Sequence, residues 1–131
     1  MTSTDLDRLH ALAAWEPVFG APGFSPGRFA RGPSPDVVRF AQEMADLGWS
    51  THPDYGPWSQ TDRGQALLED DARIPGATAD ELALLLTTIV RADRFNGGVL
   101  DAAFRRGTIL AIARRARVLA WTTPNDRPEH A

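Results

Sequence analysis

Seven arginines fall within LLTTIVRADRFNGGVLDAAFRRGTILAIARRAR (85–117), at positions 91, 94, 105, 106, 114, 115 and 117. A guanidinium group is planar, permanently charged and carries five N–H donors, so arginines at helical spacing either clamp a carboxylate between helices or grip an anion from outside. Arg91 and Arg94, three apart, share one face near the end of a helix, where the macrodipole alone favours a cation by roughly 0.3–1 kcal/mol. With Trp58 as an aromatic wall they form a candidate site for a carboxylate or an acidic peptide; the competing reading makes them a structural border of the core. Asp93 projects from another side and is expected to receive Arg115 from the last helix in a structural ion pair. Arg105, Arg106 and Arg114 are expected to face solvent, where they could track a nucleic-acid backbone.

The charge balance weighs on that last reading. Residues 91–117 hold seven Arg against Asp93 and Asp101, whereas residues 1–90 hold six Arg against thirteen acids, and the whole chain is −3 with a pI near 5.5. A polarised small protein can dock a partner or an anion through its basic end, and its two ends can equally match each other. With an acidic chain and no defensible helix-turn-helix pattern, protein partners are favoured over nucleic acid, which stands as the alternative. All 14 basic residues are Arg, a bias attributed first to base composition and second to bidentate anion pairing.

Other chemistries find no support. There is no cysteine, which removes disulfides, thiolate metal sites and a cysteine nucleophile. His10, His52 and His130 are isolated, without the spacing of a metal-binding helix, so no metal and no cofactor is implied. Asp70 and Asp71 are neighbours whose side chains diverge by ~100° on a helix and cannot cooperate as acid and base; they are expected to solvate a helix end. Gly97 and Gly98 lack a preceding strand and a following lysine, and read as a turn. No catalytic residue is nominated.

The elements that must position these residues read as helices. At 131 residues, 43% hydrophobic and 24% charged, the chain suits one folded domain with a sizeable core. Leu6, Leu9, Leu12 and Ala13 give helical spacing over about 4–16, with Ser3 or Thr4 as N-cap. The segment 17–33 is punctuated by Gly and Pro, yet its Val18, Phe19, Phe24 and Phe29 are too many for a solvated linker and are expected to wrap the core. Ser34 with Pro35 opens a second helix, ended by Gly48.

Residues 49–60 form another irregular segment, where Trp49, Tyr55 and Trp58 either plug the core or line a groove with Arg91 or Arg94. A short helix is expected over about 61–72. The Thr78–Glu81 capping box announces a helix apolar nearly all round from Leu82 to Val90, the central element. It runs out at Phe95, and Val99–Arg106 forms the next helix. Gly107 as C-cap and Thr108 as N-cap then lead into a helix to about Trp121, with Ile109, Ile112, Ala113, Ala116 and Leu119 as its core stripe. Its geometry makes Arg115 the arginine most buried and Arg114 the one pointing outward. No alternating strand pattern persists. The fold class is therefore all-α: a compact five- to six-helix domain over 1–122 with long Gly/Pro/aromatic loops, and a polar tail at 123–131. No apolar run reaches the roughly 18 residues of a membrane span, and the acidic N-terminus lacks an apolar leader, so the expected location is the cytoplasm.

The run LLTTIVRADRF, then Gly, a short amphipathic helix, and GTILAIARRAR resembles a family of small bacterial and phage proteins classed as a domain of unknown function. Its pattern is L-L-T, R-x-E-R-F, Gly, G-x-I and a closing paired-arginine helix. The likeness extends upstream through Trp58, GFSPGRF and the N-terminal leucine helix. Asp93 stands where the pattern has Glu, which shortens the reach of any salt bridge there. Ala113 and Ala116 replace larger aliphatics, which permits closer helix packing. The resemblance implies the helical fold and carries no activity.

Overall fold

The structure, a computed structural model, describes residues 3–28 and 32–122. The side chains of Ser3, Thr4 and Arg28 lie outside the described set, as do Phe29, His130 and the tail 123–131, so the N-cap, loop-aromatic and tail readings made on them stay outside it too. The fold is all-α. The helices are α1 (Ser3–Ala13), α2 (Glu16–Phe19), α3 (Pro35–Asp46), α4 (Tyr55–Ser59), α5 (Asp62–Glu69), α6 (Ala79–Phe95), α7 (Val99–Arg106) and α8 (Thr108–Thr122), with a 3₁₀ turn over Asp71–Gly76. The extended pairing among the described residues is one short antiparallel rung, Gly27 with Pro33 and Arg28 with Gly32.

Local chemistry sets the boundaries. The hydroxyl of Ser34 accepts from Val37 N–H and Pro35 occupies the first helical position, starting α3; Gly48, at φ +82°, follows its end. Thr78 and Glu81 satisfy each other's backbone N–H groups at the head of α6. Glu81 also receives Arg63 of α5 through Nε at 2.7 Å and NH2 at 3.1 Å. Those bonds from Arg63, aided by the Thr78 N–H and opposed by burial, hold the Glu81 carboxyl below its ordinary value.

Three elements differ from the sequence reading. The first helix stops at Ala13 and resumes as α2, because Pro17 has no N–H to continue the ladder. The third stops at Glu69: Asp70 is extended (φ −136°, ψ 100°), and its carboxylate accepts from Ala72 N–H to start the 3₁₀ turn. The aromatic segment 49–60 contains the one-turn helix α4. Gly64 lets α5 fold back onto α4, since a Cβ there would collide with the Trp58 carbonyl; Thr61 caps α5 and its hydroxyl donates to that same carbonyl at 2.6 Å.

The core centres on α6, whose residues Leu82 to Thr87 and Ile89 are buried. Helices α4, α7 and α8 lie against it, and α8 also carries α1, α2 and the 3₁₀ turn. On α8 the buried positions are Thr108, Ile109, Ile112, Ala113, Ala116 and Ala120, with Leu119 half-buried. The stripe moves from 119 to 120 because the helix turns about 100° per residue and α1 closes on its last turns. The aromatics of the described part of the 17–33 segment pack on the core: Phe19 is buried within 5.0 Å of Phe40 and 4.9 Å of Phe104, ring centre to ring centre, and Phe24 packs beside it at 5.1 Å. Among the described residues no helix is long and apolar enough to cross a membrane.

Candidate functional site: the arginine-rich end

The arginines of 91–117 sort by what their donors meet. Arg105, on α7, bonds Asp101 one turn back at 2.7 Å and the Gly27 carbonyl at 2.7 Å. Arg106 donates to the Thr108 hydroxyl at 3.0 Å and lies 3.5 Å from Asp71. Arg114 and Arg117, both on α8, converge on the two oxygens of Glu16 at 3.2 and 3.0 Å. Arg115 is half-buried and donates to the carbonyl of the buried Ala77 at 2.7 Å. Arg91 and Arg94 alone in this set have no acceptor among the described residues. Arg91 sits 5.6 Å over the Tyr55 ring, a cation–π distance, and Arg94 is exposed next to Phe95, itself 83% exposed.

The Asp93–Arg115 ion pair is not formed, and this corrects the sequence reading. One Asp93 oxygen, Oδ1, accepts from Gly98 N–H at 3.1 Å and Leu100 N–H at 3.0 Å. The carboxylate thus caps the next helix, satisfying N–H groups that α7 cannot bond internally. Gly98, left-handed at φ +101°, turns the chain so that those N–H groups face back to Asp93. Arg115 meets a main-chain carbonyl because α8 packs on the 3₁₀ turn, away from Asp93.

Trp58 also stands apart from the role expected of it. It is half-buried against the core, and the ring that faces Arg91 is Tyr55, one turn earlier on α4. Trp49 is a core plug at 2% exposure, with its indole N–H on the Arg8 carbonyl at 3.0 Å. Arg105, Arg106 and Arg114 are exposed as expected, but each faces an acid: Asp101, Asp71 and Glu16.

A family of unknown function, DUF6508, matches residues 4–122. The chain belongs to that family. No curated protein and no solved structure matches it. In this DUF6508 protein several polar contacts link residues far apart in sequence. Thr108 is buried, and in place of capping α8 its hydroxyl donates to Asp71 at 2.7 Å, so Asp71 is an internal acceptor where a solvating group was expected. His52 accepts Asp54 N–H at Nδ1 (3.1 Å) and meets Asp80 through Nε2 (2.9 Å), which assigns the proton to Nε2. With both nitrogens engaged and its own N–H on Thr87, His52 stitches the 49–54 segment to α6. The Glu16–Arg114–Arg117 group had no signal in the sequence, since its members are 98 and 101 residues apart. Trp121 had one: 114, 117, 118 and 121 make a second helical stripe opposite the core.

Proposed function

We propose that this domain is a non-catalytic binding module that takes an acidic segment of a protein partner, with Arg91 and Arg94 meeting its carboxylates. The observation that carries this reading is the sorting of donors: five of the seven arginines each bond an acceptor within the domain, and these two have none among the described residues. The Arg91 guanidinium lies 5.6 Å over the Tyr55 ring, a cation–π contact that uses none of its N–H donors. Exposed Phe95 beside Arg94 adds an apolar contact of the kind that anchors protein interfaces. The setting we assign is the cytoplasm.

Backbone tracking along nucleic acid is less favoured, because Arg105, Arg106 and Arg114 each sit beside a carboxylate, which leaves too little net positive charge to hold a run of phosphates. The test pairs capture with stability. Immobilised native protein and the R91Q/R94Q variant are exposed to the same lysate, bound proteins are identified by mass spectrometry, and an acidic synthetic peptide is added as competitor. The expected result is a partner retained by the native protein, displaced by the peptide and lost by the variant, whose melting temperature stays near native. Unchanged capture by the variant refutes the site. So does a variant whose melting temperature falls well below the native value, which would make the two arginines scaffold.

A further inference from the structure

The cleft between α1, α2 and α8 lies outside the site proposed above. It is an open cleft of about 560 Å³ bordered by His10, Glu16, Pro17, Arg114, Arg117 and Trp121, within the size range of small-molecule sites. Trp121 is 74% exposed, with the His10 ring edge-on at 5.5 Å. Glu16, only 18% exposed, is gripped by two arginines that are each more than 60% exposed. Tying α2 to α8 needs one such pair. The second arginine and the open indole are surplus to that structural task.

Each guanidinium gives one N–H to Glu16 and retains the others. The carboxylate thereby fixes two donor groups side by side at the cleft wall, with one net positive charge remaining. A dianion would meet too little charge there; a single carboxylate matches it. An indole with an open surface offers a stacking surface for a flat ring. We propose that this cleft is a binding site for a small aromatic monocarboxylate, its ring on Trp121 and its carboxylate on Arg114 and Arg117.

The experiment follows the Trp121 indole N–H signal by NMR, assigned with W121F, during titration with 2-naphthoate. Neutral 2-naphthylmethanol, acetate and adenosine monophosphate are the comparison probes. We expect 2-naphthoate to give a saturable shift at millimolar concentration, with the alcohol, acetate and the nucleotide each at least about tenfold weaker. R114Q/R117Q changes exposed side chains, so it should fold and lose the site, whereas R91Q/R94Q should keep it. The proposal is overturned by an absent shift, by equal binding of the neutral alcohol or of acetate, or by tighter binding of the nucleotide. Loss of binding in R91Q/R94Q also overturns it, because the two sites are separate.

Discussion

Replacing Arg115 with Met tests the division of the arginines into structural and available ones. Met keeps most of the apolar stem and removes the donor, so packing is largely preserved while the Ala77 carbonyl loses its partner. Ala77 is fully buried, and a buried carbonyl stripped of its bond costs about 1–3 kcal/mol. In a domain of this length each 1 kcal/mol moves the melting temperature by roughly 3–6 °C. R115M should therefore melt roughly 3–18 °C below the native protein. Arg94→Gln removes no internal hydrogen bond, and its cost should stay within about 0.5 kcal/mol, the surface value. The assay is thermal and urea unfolding followed by far-ultraviolet circular dichroism. Equal destabilisation by R115M and R94Q, or an R115M midpoint indistinguishable from native, refutes the sorting on which the proposed site stands.

Asp93 gives a second test. D93A removes an acceptor that serves two N–H groups of α7 and should cost about 1 kcal/mol, while D93N keeps an oxygen there and should cost less; R115M and D93A should be additive in a double variant, since the two groups do not touch. Glu81 supplies a pH dependence. Its folded carboxyl titrates below the ordinary 4.5, chiefly through Arg63, so this stabilisation is present above that value and is lost as pH falls through the lowered one. Urea midpoints of native protein and E81Q should differ at about pH 7 and converge as the pH falls through the lowered Glu81 titration, whereas a gap that widens on acidification contradicts the assignment. E81A, which also loses the capping bond, should cost about 1 kcal/mol at neutral pH.

What the sequence alone determined is the part governed by contacts within a turn. Ser34 with Val37, Thr78 with Glu81, Gly48 and Gly98 act over a few residues, so their effect is written locally, as is the apolar circumference that buries α6. Where one residue alters that local chemistry the reading slipped: Pro17 cut the first helix, and Asp70 ended α5 at Glu69 and began a 3₁₀ turn in its place. The partners of the arginines were decided by tertiary structure. A helical periodicity gives the direction in which Arg115 or Arg117 leaves its helix, and nothing about what waits there. The acceptors came from 38 and 101 residues away, brought up by the packing of α8 on the 3₁₀ turn and on α2. A long, jointed side chain ending in five donors takes whichever oxygen the packed backbone delivers within reach, and so Asp93 capped a neighbouring helix while Arg115 found a carbonyl.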